Sequence, residues 1–253
     1  MKGRAALVAA SHGTSHPDGQ RAVAALVRAV AETAPQLTVS QAFVDVQQPE
    51  VRQTLSAVDQ GRDAVVVPLL LSAGYHVRVD LARDARETVD RRVTIAEALG
   101  PDRRLTELLA RRLDEAGLLP DDLVVLAAAG SSDQRAVDDC QVVAADLAAV
   151  LGRPVTAGFI SAALPRLADA VAQVRSTGAA NARVVVACYL LAPGYFSGLA
   201  GEAGADLVSE PLLAADREVP RELVQVILER YRAACNADVS AALQRASDPV
   251  TTW

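Results

Sequence analysis

The feature that most constrains the fold is an alternation of short apolar runs with helix-period segments, which occurs twice along the 253 residues. Apolar runs of strand length predict four β-strands in the first half, at residues 5–10, 37–46, 64–71 and 93–96. Apolar residues spaced by three and four predict a helix at residues 19–34, and further helices are predicted at residues 49–60 and 103–116. Strands that alternate with helices are typical of a parallel sheet covered by helices, so the pattern predicts an α/β protein.

The same series begins again after residue 117. Strands are predicted at residues 123–128, 155–160 and 183–191 and near residue 207, with helices ending near 151 and starting at Pro165 and Pro220. Pro49 and Pro165 are each assigned to the first turn of a helix, where a residue has no intrahelical hydrogen bond to lose. We therefore predict two α/β domains of similar topology, residues 1–118 and 119–253, each a mainly parallel sheet flanked by helices.

The repeat preserves its scaffold but not its polar side chains. The segment SAGYH at residues 72–76 aligns with APGYF at 192–196, and both follow a Leu-Leu pair. Two further alignments follow the first two strands of each half, and all three offsets lie between 116 and 120 residues. The alignments pair three polar residues with replacements that lack their chemistry: His12 with Ala129, Asp45 with Ser161, and His76 with Phe196.

His12, Asp45 and His76 each follow a predicted strand, and open parallel sheets bind ligands beyond the carboxyl ends of their strands. Two imidazoles and a carboxylate would then converge in the first half alone. Imidazole suits iron, cobalt, nickel and zinc, and a carboxylate can complete such a site or accept protons. Because no second ligand set and no thiolates accompany these residues, we expect an open, exchangeable metal site rather than a closed structural one.

Three segments of the first half are distinctive: residues 7–13 (LVAASHG), residues 43–49 (FVDVQQP) and, most specifically, residues 67–80 (VPLLLSAGYHVRVD). They resemble the sirohydrochlorin chelatases, which are class II chelatases that insert cobalt or ferrous iron into sirohydrochlorin. The resemblance implies a lyase of siroheme or cobalamin biosynthesis, built from two similar chelatase-like domains with the active cleft between them.

The resemblance also implies roles for particular residues. The two family histidines correspond to His12 and His76, which would hold the metal and take the pyrrole protons. Asp45 stands where the family commonly has a glutamate, and it would orient a histidine or relay a proton. The divalent metal, Co²⁺ or Fe²⁺, would be a substrate, with no permanently bound cofactor. The second half would form a wall for the macrocycle.

Alternative interpretations remain open. The same cleft would serve a non-catalytic carrier of metal or tetrapyrrole, or a ferrochelatase that acts on a different porphyrin. His16 is interpreted as a substrate-loop or solvent residue, and the glycine-rich residues 198–204 as a flexible loop. Four arginines either contact substrate carboxylates or form a solvated helix face: Arg83, Arg86, Arg91 and Arg92.

Composition excludes several classes of protein. A net charge of −6 without a basic run is not the pattern of a nucleic-acid-binding protein. No apolar run approaches the roughly 18 residues that span a bilayer, and the first is too short for a signal peptide, so we expect a cytoplasmic chain. Three cysteines without a Cys-x-x-Cys pair are expected to be buried free thiols. Two fused domains can form a cleft within one chain, which favours a monomer.

Overall fold

Sixteen helices and strands make up the computed structural model, which describes residues 4–72, 74–178 and 181–247. The elements of the first half are β1 (Ala6–Ser11), α1 (Pro17–Thr33), β2 (Val39–Phe43), α2 (Val51–Ala57), β3 (Ala64–Pro68), α3 (Tyr75–Glu87), β4 (Val93–Ile95) and α4 (Arg103–Ala116). The elements of the second half are β5 (Leu123–Ala128), α5 (Gln134–Leu151), β6 (Val155–Phe159), α6 (Leu167–Thr177), β7 (Val184–Tyr189), α7 (Tyr195–Gly201), β8 (Leu207–Val208) and α8 (Arg221–Ser247).

The strands form two parallel four-stranded sheets with equivalent strand orders. The first sheet runs β2-β1-β3-β4 and the second β6-β5-β7-β8. The predicted α/β class with two similar parallel sheets is therefore confirmed. Among the described residues, none of the helices combines the length with the apolar composition that spanning a bilayer requires.

Both faces of each sheet are buried, which explains why the strands read as nearly continuous apolar runs. In β1, Leu7 and Ala9 face a large core, and Ala6, Val8 and Ala10 face a smaller one. The large core joins the inner faces of both sheets to the helices α1, α4, α5 and α8. Smaller outer cores lie beneath α2 and α3 in the first half and beneath α6 and α7 in the second.

The last helix of each half packs against the sheet of the other half. Helix α4 contacts β7 and β8, and helix α8 contacts β3 and β4. The buried guanidinium of Arg112, on α4, donates to the carbonyl oxygen of Leu212 at 2.9 Å, and Tyr231 Oη, on α8, donates to the carbonyl oxygen of Ala5 at 2.7 Å. The division into domains at residues 1–118 and 119–253 therefore stays a prediction from the sequence repeat. In the structure each half uses a helix of the other half to cover its sheet.

Pro49 and Pro165 do not lie in helices, and that prediction was wrong. Both follow cis peptide bonds, and α2 and α6 begin only at Val51 and Leu167. The proline carbonyl oxygens instead accept hydrogen bonds from the backbone of Phe43 (3.0 Å) and Phe159 (2.9 Å). A carbonyl that pairs with the end of the preceding strand keeps each proline outside the helix.

The glycine-rich residues 198–204 were predicted as a flexible loop, but helix α7 occupies Tyr195–Gly201. Ala200 is fully buried in the outer core, so packing outweighs the low helix propensity of the glycines. Strands β2 and β3 end at Phe43 and Pro68, earlier than predicted.

Because the exchanged helices share one core, the two halves should unfold in a single transition. Leu109→Ala on α4 and Ile227→Ala on α8 each remove a fully buried side chain and should each lower the free energy of unfolding by about 2–5 kcal/mol. Val150→Ala, at an exposed position of α5, is the control and should change it by less than about 0.5 kcal/mol. Denaturant unfolding followed by circular dichroism measures this, and two separate transitions, only one of them shifted, would contradict it.

Candidate functional site

His12 and Asp45 lie side by side at the carboxyl edge of the first sheet. Strand β1 ends at Ser11, and the pairing of β1 with β2 continues through the following loops. The backbone N–H of Val44 donates to the carbonyl oxygen of Ser11 at 2.9 Å, and that of Asp45 donates to the carbonyl oxygen of His12 at 3.0 Å. Both His12 and Asp45 are exposed, so the sheet edge presents an imidazole and a carboxylate to solvent.

A close approach of the two loops depends on Gly13. Its φ is +94°, and a Cβ there would lie 2.1 Å from the carbonyl oxygen of Asp45. Beyond Asp45 the chain turns sharply, with the N–H of Val46 donating to Asp45 Oδ1 at 2.7 Å and the N–H of Gln47 donating to the Asp45 carbonyl oxygen at 2.6 Å. One carboxylate oxygen of Asp45 is therefore held by its own turn.

The second half reproduces this backbone with different side chains. The N–H of Ser161 donates to the carbonyl oxygen of Ala129 at 2.9 Å, and Gly130 has a φ of +89°. A Cβ on Gly130 would lie 1.8 Å from the Ser161 carbonyl oxygen. The sequence alignment of His12 with Ala129 and of Asp45 with Ser161 therefore agrees with the geometry, and the second edge lacks both functional groups.

His76 is the second residue of α3, as Phe196 is the second residue of α7. It was predicted to lie at the end of a strand, but β3 ends at Pro68 and a loop intervenes. The helix start still belongs to the carboxyl edge, because α3 follows β3 in a strand-helix unit. The side chains of residues 75–78 lie outside the described part, so convergence of the His76 imidazole with His12 stays a prediction.

The described side chains do not by themselves form a metal site. Within residues 4–72, 74–178 and 181–247, no group of three His, Cys, Asp or Glu side chains is arranged to hold an ion. Nor is a hydrogen bond between the His12 imidazole and the Asp45 carboxylate found among the described contacts. The first edge thus presents the His12 imidazole and the Asp45 carboxylate as two separate groups that could bind a metal ion.

Loops from each half cross to the other half beside this edge. Gly74, after β3, approaches Ser131 so closely that a Cβ there would lie 2.8 Å from Ser131 Oγ. The loop after β7 approaches the first half in the same way. A Cβ on Gly19, in α1, would lie 2.2 Å from the carbonyl oxygen of Pro193 in that loop. The carboxyl edges of the two sheets are therefore held next to each other.

The three cysteines are free, as predicted, and two of them, Cys140 and Cys188, are buried, whereas Cys235 is only half-buried. Burial raises the pKa of the Cys140 thiol to about 11 and that of Cys188 to about 12. Both are therefore neutral thiols at pH 7, and they supply no thiolate to a metal.

Other candidate residues have more ordinary surroundings. His16 is the exposed N-cap residue of α1, in the loop where it was predicted, and its side chain makes no capping hydrogen bond. Arg83 pairs with Asp80 at 3.0 Å on α3.

Arg91 lies beyond α3, and its side chain is only 2% exposed and donates to the Val58 carbonyl oxygen at 2.8 Å. It was predicted either to contact substrate carboxylates or to lie on a solvated helix face, and both interpretations were wrong.

Arg92 also lies away from the site, at the amino edge of the first sheet. It lines a cavity of about 460 Å³ together with Arg4, Asp63, Tyr231 and Cys235, among others. Asp63 immediately precedes β3 and Ala64 is its first residue, so this cavity lies at the opposite end of the strands from His12. Arg92 therefore lies away from the candidate site, and it is not on a helix, because α3 ends at Glu87.

The duplicated parallel sheets define the two-domain architecture of the chelatases. SirB from Bacillus subtilis, solved with Fe³⁺, superposes with a TM-score of 0.76 at 20% identity over 93% of this chain and 97% of that one. The sirohydrochlorin chelatase SirB from Bacillus subtilis subspecies spizizenii, solved with cobalt, gives 0.71 at 18% identity over the same shares. CbiX of denitrifying bacteria, described as the terminal enzyme of siroheme biosynthesis, gives 0.61 at 22% identity over 88% and 98%.

A sequence model of the CbiX family matches residues 6–116 and 123–198, and the chain belongs to that family. Two curated relatives are named sirohydrochlorin cobaltochelatase. The protein from Sulfolobus acidocaldarius is 32% identical over 81 residues, and that from Sulfurisphaera tokodaii is 33% identical over 79 residues. These matches cover 31% and 30% of this chain and 66% of each relative, just under two thirds of its length.

Alanine at Gly13 or Gly130 should be much more destabilising than at a glycine with open space around it. Both have positive φ, and the new Cβ would overlap a backbone oxygen, so each replacement should lower the free energy of unfolding by about 3 kcal/mol or more. Gly152→Ala is the control. Gly152 has a φ of +65°, but a Cβ there would have no neighbour within 4 Å, so this replacement should lower the free energy of unfolding by only about 1–2 kcal/mol. Equal losses in all three variants, measured by denaturant unfolding, would refute the close approach.

Proposed function

We propose that this chain is a sirohydrochlorin chelatase, a lyase that inserts Fe²⁺ or Co²⁺ into a sirohydrochlorin-type tetrapyrrole in siroheme or cobalamin biosynthesis. Membership of the CbiX family and the names of the curated relatives support this proposal. The observation that carries it is the paired edge of the first sheet, where one backbone arrangement presents His12 and Asp45 while its repeat presents Ala129 and Ser161. Such a difference is expected if metal chemistry belongs to one half only.

Metal capture is assigned to His12 and His76. A neutral imidazole binds either ion through a ring nitrogen, and both ions accept nitrogen and oxygen ligands. His12 is exposed at the sheet edge, and His76 is the second residue of α3, the helix that follows the adjacent strand β3. Because few protein ligands are available, the ion keeps positions open for the pyrrole nitrogens, as transfer requires.

Removal of two pyrrole protons is assigned to the same edge. A histidine that has released the metal can accept a proton, and Asp45 can relay it to solvent because its carboxylate is exposed. The hydrogen bond from the Val46 N–H occupies Oδ1 of Asp45 and fixes the orientation of the carboxyl group. The role proposed for Asp45 is therefore proton relay.

The proposed enzyme uses the metal as a substrate and needs no resident cofactor. One chain supplies both carboxyl edges, and the exchanged helices α4 and α8 hold the two halves together, which supports a monomer. We propose a cytoplasmic location, with a tetrapyrrole and a metal ion as partners rather than a membrane or a nucleic acid.

An absorption assay distinguishes this proposal from its alternatives. The protein is incubated with sirohydrochlorin and Co²⁺ or Fe²⁺, and metal insertion is followed by the change in the macrocycle spectrum. Turnover above the spontaneous rate supports the enzyme. Stoichiometric binding without turnover would indicate a carrier, and faster insertion into a less carboxylated porphyrin would indicate a ferrochelatase of different specificity.

His12→Ala and His76→Ala should each lower the insertion rate about a hundredfold or more, because each removes a metal ligand and proton acceptor. The exposed position of His12 means that folding should survive the first replacement. His16→Ala, four residues away, is the matched control and should retain a rate within about threefold of wild type. Near-normal rates in both His12→Ala and His76→Ala would refute the assignment.

Replacement of Asp45 tests the proton relay. Asp45→Asn keeps an oxygen for the Val46 N–H but loses the charge, and it should lower the insertion rate about 10- to 100-fold. Asp45→Glu restores a carboxylate and should recover most of the rate. Ser161→Ala alters the equivalent position of the other half and should have little effect. If Asp45→Asn and Ser161→Ala both match the wild-type rate, Asp45 takes no part in the reaction.

A further inference from the structure

The two halves carry opposite charges at equivalent positions of their carboxyl edges. Asp18 is the second residue of α1, and its counterpart, the second residue of α5, is Arg135. Glu50 is the N-cap residue of α2, and its counterpart, the N-cap residue of α6, is Arg166. The edge that bears His12 and Asp45 therefore has carboxylates where the second edge has guanidinium groups.

These two arginines are available to a ligand. The Arg135 side chain is 76% exposed, and its nearest carboxylate, Asp133, lies 4.0 Å from Nε and already accepts a hydrogen bond from the Arg135 backbone. Arg166 is exposed and has no ion-pair partner among the described residues, Asp169 included. Each arginine also lies at the start of a helix, where the helix dipole disfavours a cation, so helix stability does not explain its presence.

Exposed apolar groups lie on the same edge. Tyr195, at the start of α7, is 74% exposed, and its ring centroid lies 6.0 Å from that of the half-buried Phe196. Leu164, in the loop after β6, is 73% exposed. Their counterparts in the first half are Tyr75, His76 and Gln48, so the exposed leucine and Phe196 belong to the second edge alone.

We propose that the second carboxyl edge binds the tetrapyrrole, with Arg135 and Arg166 pairing with its peripheral carboxylates and Tyr195, Phe196 and Leu164 contacting the ring. This inference rests on the proposed chelatase function and names the residues that hold the substrate. Guanidinium groups pair with carboxylates through charge-assisted hydrogen bonds, and aromatic side chains stack on planar rings. The carboxylates of the first edge would attract the metal cation, and Arg135 and Arg166 of the second edge would attract the polyanionic macrocycle.

The test measures binding of metal-free sirohydrochlorin, with no metal present, by titration of its absorption. The double variant R135Q/R166Q should raise the Kd about tenfold, and the salt dependence of binding should become shallower, because two charge pairs are lost. Tyr195→Ala should raise the Kd severalfold. Arg232→Gln removes the same charge from an exposed position at the amino edge and should leave the Kd within about twofold of wild type.

A Kd for R135Q/R166Q that matches that of Arg232→Gln, in a protein with wild-type circular dichroism, would overturn the proposal, as would a wild-type protein that does not bind the macrocycle. The experiment separates this inference from the chelatase proposal. Wild-type protein that binds sirohydrochlorin but does not accelerate metal insertion would refute the chelatase, while the comparison of Kd values would still decide whether the second edge holds the ring.

Discussion

The backbone hydrogen bond from Asp45 to His12 is the contact on which the proposed site depends. It extends the pairing of β1 and β2 past the ends of both strands, and it forms only because Gly13 allows two backbones to approach more closely than a Cβ would permit. An imidazole and a carboxylate from distant parts of the sequence thereby become neighbours at one sheet edge. Because Gly130 and Ser161 repeat the geometry, the contact belongs to the scaffold, and the chemistry belongs to the side chains placed on it.

A duplicated scaffold with divergent edges provides two different surfaces at one opening. The loops after β3 and β7 each cross to the opposite half, and the helices α4 and α8 are exchanged between the sheets, so the two edges are held in a fixed relation. We propose that one edge handles a small cation and the other a large, flat anion. Both surfaces are needed for the proposed reaction, which gives a physical reason to keep both halves in a single chain.

Much of this arrangement could be predicted from the sequence. Strand β5 and helix α4 have the predicted bounds, and the alignment of the halves pairs residues that prove to be structurally equivalent, because hydrophobic periodicity and repetition are local properties of the chain. The position of Pro49 could not be predicted in this way. Its carbonyl oxygen pairs with Phe43 across a loop, and such a contact overrides the general preference of proline for a first helical turn.

Contacts between the halves were equally inaccessible from local patterns. Nothing in the periodicity of α8 indicates that Tyr231 reaches the carbonyl oxygen of Ala5. Within the first half, local patterns likewise do not show that Arg91 is buried against the Val58 carbonyl oxygen rather than lying on a helix. The two exposed arginines of the second edge, Arg135 and Arg166, were also missed. The sequence alone could have revealed them, because the repeat aligns Arg135 with Asp18 and Arg166 with Glu50, which reverses the charge at both positions.

The most direct test of metal binding at the first edge is to locate a bound ion. Crystals of the protein soaked in Co²⁺, with diffraction collected at the cobalt absorption edge, would show the ion by anomalous scattering. We predict one major peak at the carboxyl edge of the first sheet, with cobalt about 2.0–2.2 Å from ring nitrogens of His12 and His76. A peak at the second edge beside Ala129, or in the amino-edge cavity beside Cys235, with none at His12, would contradict it.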